Sequence, residues 1–311
     1  MPGTAQTRPD DRGPGRDGRP DSATEAFLGH RNLLFTVAYE MLGSAADAED
    51  VLQETWLRWA GVDPDTVRDP RAYLVRITTR QALVRLRTVR RRREAYVGSW
   101  LPEPLLTAPD VAEDVALADS VSMAMLLVLE TLAPTERAVF VLREVFDLGY
   151  DEIAEAVDKS PSAVRQIAHR ARAHVAARRP RRVVSAADTR YALDAFQRAV
   201  ETGDLQSLLD ILAPDVVLLG DGGGIKQAVL RPVVGAEKVV RLLTAGLDRV
   251  AGTVALTSAQ VNGYPALIFR MNGELDTVVA VRIDDGLVTG LYAVRNPEKL
   301  SHMAGENILR R

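Results

Sequence analysis

The sequence predicts two all-α units followed by an α+β domain. Three observations carry that expectation. Apolar residues recur at helical spacing from Ala26 to about Arg179, with one interruption. Past the Arg178–Arg182 segment, broken by Pro180, short alternating runs take over. Those runs are separated by Asn262-Gly263, Asn272-Gly273 and Asp285-Gly286, dipeptides that favour two-residue hairpin turns.

Residues 1–22 are rich in Pro, Gly, Arg and Asp and are expected to be a disordered tail. Phe27, Leu33, Leu34, Val37, Ala38 and Leu42 form the first helical stripe, which Gly43 ends. A second helix runs from Ser44 to about Ala60. A third follows Asp69-Pro70, where Asp caps and Pro opens the first turn. These helices make a unit at 23–93. Residues 94–117 hold Trp100-Leu101-Pro102-Glu103-Pro104 and no sustained period, so they read as a linker. A second helical unit occupies 118–180. In the third domain, 186–302, helices are expected at Ala186–Val200, Leu205–Leu212 and Glu237–Val250. Strands are expected at Val216–Leu219, Val254–Val261, Ala266–Met271, Thr277–Ile283 and Val288–Val294, the sheet curling around a helix.

Composition excludes several classes. The chain has no cysteine, so disulfides, thiolate metal sites and cysteine nucleophiles are ruled out. No apolar run of 18 residues and no apolar leader segment occur, which leads to the expectation of a cytoplasmic protein without a membrane partner. The four histidines make no zinc motif, and no metal or cofactor is expected. A net charge of −3 conceals sorted charges. Nine arginines and no acid lie between Arg71 and Arg93, and eight Lys/Arg and no acid between Lys159 and Ala187. Acids gather at Asp47–Glu54 and Glu103–Asp119. Such sorting suits one face for phosphate and another for a protein.

The sharpest element is Tyr150–Val175. Ile153, Ala154 and Val157 stripe a short helix, Asp158-Lys159 turns the chain, and Ser160 caps a helix opened by Pro161. Val164, Ile167, Ala168, Ala171 and Val175 share its buried face. Ser162, Arg165, Gln166 and His169 share the opposite one. Arg can bond guanine in two places and Gln adenine, so a helix-turn-helix with a major-groove reading face is expected, with Arg170 and Arg172 suited to phosphates; an αα-hairpin packed against another element is the alternative. In the second helix of the chain, Ala48, Leu52, Thr55 and Trp59 form a buried stripe. Asp50, Gln53, Glu54 and Leu57 face elsewhere, as a protein-binding surface would.

The run L-A-P-T-E-R-A-V-F-V-L-R-E-V-F-D-L-G-Y-D-E-I-A resembles region 4 of bacterial sigma factors. D-A-E-D-V-L-Q-E-T-W-L-R-W resembles region 2.2, and D-P-R-A-Y-L-V-R-I-T-T-R-Q-A-L-V-R-L-R resembles regions 2.3–2.4. The resemblance covers everything after residue 22 and implies a subunit of core RNA polymerase that reads promoter DNA. Asp50, Gln53 and Glu54 would dock on the β′ clamp coiled coil, and region 4 would hold the β flap. Ser160 and the recognition helix would read the −35 element. Arg71, Arg76, Arg80, Arg85 and Arg87 would follow the melted −10 strand, and the Val62–Asp69 loop would capture a flipped base. Trp56, Trp59 and Tyr73 are expected in the core. Val84 departs from the family, which usually has an acid there.

With regions 1.1 and 3 absent, the chain resembles the extracytoplasmic-function (ECF) type. The linker Y-V-G-S-W-L-P-E-P-L, the loop Asp221-Gly222-Gly223-Gly224 and the end Asn296-Pro297-Glu298-Lys299-Leu300 resemble the subgroup called group 41, which carries a fused SnoaL-like (NTF2-like) cone-shaped domain. That resemblance implies a domain that contacts the linker and tunes polymerase engagement. Trp100 is expected to dock on it near Asp221–Gly224 and Asn296-Pro297. A fused enzyme and a freestanding DNA-binding regulator are readings from other classes. An enzyme would need a base and an oxyanion donor to converge, with Asp215, Asp221, Tyr191 and Tyr292 as candidates. An unidentified ligand of the third domain is a further candidate partner.

Overall fold

The computed structural model describes residues 22–108, 111, 114–178, 186–247 and 253–311. Residues 1–21 of the expected tail, residues 179–182 of the expected junction and the expected helix end at 248–250 lie outside these residues, while Ser22 opens the first helix. Helices α1 (Ser22–Leu42), α2 (Ala45–Trp59) and α3 (Pro70–Glu94) form the first unit. Gly43, at φ +65°, ends α1 in the left-handed conformation that glycine adopts without strain. The Ser44 hydroxyl accepts from Asp47 N (3.1 Å) to start α2, and Asp69 accepts from Ala72 N (3.0 Å) to start α3. Ala48, Leu52, Thr55 and Trp59 are buried, and the Trp59 indole donates to Ala23 O at 2.7 Å. Trp56 packs on Phe27, and Tyr73 on Trp59, so these aromatics serve the core.

The second unit comprises α4 (Val115–Val121), α5 (Met123–Glu130), α6 (Pro134–Phe140), α7 (Tyr150–Val157) and α8 (Pro161–Ala176). A single π turn, Val141–Val145, prolongs α6. Asp158, at φ +54°, makes the turn between α7 and α8. The two helical units share one apolar cluster, in which Leu34, Val37 and Leu74 pack with Leu126, Leu142 and Ile153.

The third domain carries α9 (Ala186–Thr202), α10 (Leu205–Ile211), α11 (Ala236–Leu247) and six strands. These are β1 (Leu212–Asp221), β2 (Val233–Val234), β3 (Val254–Val261), β4 (Tyr264–Met271), β5 (Glu274–Asp284) and β6 (Leu287–Val294). The sheet order is β2-β1-β6-β5-β4-β3, with β1 and β6 parallel and the other pairs antiparallel. All three expected hairpin dipeptides sit at positive φ in both residues, the backbone of a type I′ turn. One sheet face packs on the helices through Phe196, Val216, Val239, Leu267 and Leu291. The other face, with Ile268, Val278, Tyr292 and Val294, is covered by Leu101 of the linker and Met123 of α5. A short α12 (Pro297–Leu300) follows β6.

Strand β1 is longer than the expected Val216–Leu219. Its pairing with β6 breaks between Leu212 and Val217, where Pro214 cannot donate to the ladder, so its first half does not alternate. Two-residue β2 has too few residues for any period to be seen.

Candidate nucleic-acid interface and linker junction

The face expected to read DNA is laid out by the capped start of α8. Ser160 accepts from Ala163 N at 3.3 Å, and Ser162, Arg165, Gln166 and His169 are exposed. Arg165, Gln166, His169 and Arg170 line a surface groove of about 360 Å³. Val164, Ile167, Ala168, Ala171 and Val175 are buried behind it. Arg172 reaches Glu144 at 3.3 Å, while Arg170 stands 3.9 Å from Glu136.

On α2, Asp50, Gln53, Glu54 and Leu57 are exposed on the side opposite the buried stripe. On α3, Arg87 is exposed and Arg71 half-buried, with Val84 exposed between them. Arg76, Arg80 and Arg85 have protein partners. Arg76 pairs with the Glu155 carboxylate at 3.0 Å, and Arg80 donates to the Glu155 carbonyl at 2.7 Å. Glu155 belongs to α7, so the second unit occupies guanidinia of the first. Arg85 bonds Asp47 at 2.7 Å and also pairs with Asp50, joining two groups that the sequence assigned to separate faces.

The linker is held from both sides. Trp100, half-buried, lies under the Arg93 guanidinium (3.4 Å to the ring centre) and the Lys299 ammonium (4.2 Å). Its ring also crowds Gly43: an added Cβ would sit 3.0 Å from it. It is therefore wedged between the first unit and the third domain, the expected dock, with Arg93 and Gly43 of the first unit as partners the sequence reading did not name. Leu101, fully buried, is the residue that enters the sheet face. Pro102 and Pro104 are buried beside it. Glu103 accepts from Ser44 Oγ (2.7 Å), Ala45 N (2.7 Å) and Ala46 N (3.3 Å), placing a linker carboxylate at the positive end of α2. His302 Nδ1 lies 3.6 Å from the same carboxylate.

Asp221 is the hub on the other side. Its buried carboxylate accepts from Tyr96 Oη (2.6 Å), Leu101 N (2.8 Å), Lys299 Nζ (2.7 Å) and Gly223 N (3.1 Å). Its carbonyl accepts from Arg295 N and Asn296 N. Asn296 caps α12 through Glu298 N (3.0 Å) and donates to Tyr96 Oη (2.9 Å). A Cβ on Gly223 would fall 2.4 Å from the Asn296 side chain, and one on Gly222 would fall 2.0 Å from Lys226 O. Gly224 faces Val97 of the linker. Burial pulls Lys299 down to about 8 even though Asp221 favours its charge. Burial and the bond to Asp221 push the Tyr96 phenol well above its ordinary value.

Asn262 was legible as a turn residue, and its cross-domain role was missed. Its amide donates to Tyr39 Oη (2.7 Å) on α1 and to Val121 O (2.9 Å) on α4, and its carbonyl oxygen accepts from Leu105 N (3.0 Å). One β-hairpin tip thus touches both helical units and the linker. Glu130 likewise joins units: burial alone would raise its carboxyl, but Arg137 and Arg93 hold it below the usual range. Glu40, wholly buried where α1 meets α4 and α6, accepts from Ser120 Oγ (2.7 Å), and burial pushes it up to about 8.

The four candidates for catalysis do not converge. Asp221 is consumed by the linker, Tyr292 is buried in the sheet face that Leu101 covers, and Tyr191 and Asp215 are exposed.

Comparison with known proteins follows the same division. Residues 26–93 match the family described as Sigma-70 region 2, and residues 122–175 match Sigma-70, region 4. The chain is 36% identical over 290 residues to the ECF RNA polymerase sigma factor SigJ of Mycobacterium tuberculosis (strain ATCC 25618 / H37Rv), spanning 88% of this chain and 92% of that one. The probable ECF RNA polymerase sigma factor SigI of Mycobacterium tuberculosis (strain CDC 1551 / Oshkosh) is 33% identical, spanning 92% and 97%. The crystal structure of Mycobacterium tuberculosis extracytoplasmic function sigma factor SigJ superposes with a TM-score of 0.72 at 33% identity, over 90% of this chain and 99% of that chain. Two helical regions in the right order and a relative matched nearly end to end decide the matter: the chain belongs to the ECF RNA polymerase sigma factors.

Proposed function

We propose that this protein binds core RNA polymerase, directs initiation at −35/−10 promoters, and is modulated by its third domain through the linker. The exposed acidic face of α2, Asp50, Gln53 and Glu54, is the docking surface for the β′ clamp coiled coil. Helix α8 reads −35 with Arg165 and Gln166, and α3 opens −10 with Arg71, Arg76, Arg80 and Arg87. The observation that carries the modulation is the two-sided grip on residues 96–107. Glu103 is bonded into α2, and Leu101 and Tyr96 are bonded to Asp221, so moving the third domain moves the spacing between the two DNA-reading units. Run-off transcription with purified core polymerase tests both parts. The full chain should support core-dependent initiation, and truncation after Arg182 should change promoter activity, with Trp100→Ala changing it in the same direction. No core-dependent transcript from any cognate promoter would sink the first part. A truncated chain that forms open complexes like the full one would sink the second.

A further inference from the structure

Past α12 the chain leaves the third domain and returns to the helical units. Asn307 N donates to Leu106 O at 2.7 Å, and Thr107 pairs with Asn307 in parallel. Leu106 pairs on its other side with Val261 at the end of β3. The sheet is therefore extended beyond β3, first by the linker and then by the final segment. Two residues later the Leu309 side chain, 2% exposed, enters the apolar cluster shared by the helical units, while its neighbour Ile308 is 46% exposed. Arg310 N donates to Thr36 Oγ1 (3.1 Å), a fully buried hydroxyl on α1. The Arg311 guanidinium meets Asp114 at 2.8 Å, and Asp114 caps α4 by accepting from Leu117 N. Five residues thus bind the linker, the first unit and the start of the second.

We propose that residues 307–311 are a strap that holds the two helical units closed and that this strap releases independently of the sheet domain. Its out-in-out pattern, with one buried leucine between exposed neighbours, is that of a segment laid into a groove. One apolar side chain, a few backbone bonds and one half-exposed ion pair make a weak contact with the body, the kind that opens locally below the global transition. It is strategic because it closes three parts at once. While it is seated, Arg76 and Arg80 stay on Glu155, so release precedes their use on DNA; this last consequence rests on the function proposed above.

The test needs no polymerase. The chain lacks cysteine, so spin labels at Leu28→Cys on α1 and Lys159→Cys in the α7–α8 turn, both exposed, report the distance between the units. Leu309→Asp should raise the long-distance population about tenfold, the scale of one buried leucine, and Ile308→Asp should leave the distribution unchanged. An unaltered distribution in Leu309→Asp would overturn the strap, as would equal opening in Ile308→Asp. Should Leu309→Asp not fold, amide exchange in the parent chain decides. The Asn307 and Arg310 amides should exchange together and faster than those of β4 and β5. Exchange of the strap only with the whole sheet would refute the proposal. Core-dependent transcription is measured in parallel; its absence would count against the function and not against the strap.

Discussion

Asp221 and Glu40 show what a single buried carboxylate does at a domain junction. Removing one partner of a buried ion pair leaves the other charge unpaired, so Asp221→Ala should cost about 3–5 kcal/mol, read by urea denaturation. Asp221→Asn with Lys299→Met should recover much of that loss; no recovery would mean that the hydrogen bonds to Tyr96 and Leu101 matter more than the charge. Glu40 predicts a pH effect. Its folded-state value is raised from 4.5 to about 8 by burial, against Ser120 and Arg137 and with Asp119 adding to the rise. The folded state then binds more protons, so this stability is present near pH 4.5 and is lost as pH rises through about 8. The amount is at most about 5 kcal/mol, and Glu40→Gln should flatten the profile over that window. Lys299, pulled down to about 8, acts with the opposite sign and only above that pH. Of these groups the sequence revealed Asp221, because glycines follow it. Glu103 was singled out with its linker neighbours Trp100–Pro104, but its partner was not legible, since a carboxylate that serves a helix end 58 residues away leaves no local pattern; Glu40 was not singled out at all.

The proposed function assigns reading to helix α8 and docking to helix α2, and the two can be tested separately. Arg165→Ala should cost about 1–3 kcal/mol at one −35 base pair and relax preference there. Arg178→Ala, at an exposed site past the helix end, should weaken binding evenly and lower its salt dependence. A base-substitution series that leaves −35 preference intact in Arg165→Ala would move the reading face elsewhere. On α2, Asp50→Lys with Glu54→Lys should abolish co-purification with core polymerase. Melting temperature should barely move, because the Asp50–Arg85 pair is partly exposed and worth at most about 1 kcal/mol. A double variant that unfolds would make these residues structural. Elements of this kind were legible wherever a period or a turn signal was long enough: the helix-turn-helix, the capped helix starts and the three hairpins. The first half of β1, two-residue β2 and the strap were not. A strand interrupted by Pro214 does not alternate, and a segment with one buried side chain has no period.

At the scale of the molecule the striking of a balance is between many weak ties and one arrangement. The Arg76–Glu155 pair is exposed enough for salt to screen it. Raising ionic strength or making Glu155→Gln should therefore loosen the approach of α3 to α7, seen as faster amide exchange at the facing turns of both helices. No change in either condition would show the shared apolar cluster to be sufficient by itself. The order of domains was legible in the sequence, from where the helical period gives way to alternation. The closure was not, because its contacts join residues far apart in the chain. Asn262 bonds Tyr39 across 223 residues, and Arg310 bonds Thr36 across 274. That separation has a consequence during synthesis. The ribosome completes both DNA-reading units by Arg178 and makes Leu309 only 131 residues later, which at about 5–20 residues per second is roughly 7–26 s. Throughout that interval the nascent chain carries finished helical units without the segment that closes them. A chain stalled on the ribosome before Leu309 should hold those units farther apart than a chain that includes residues 307–311, so each newly made molecule begins open and is shut once that segment has been made.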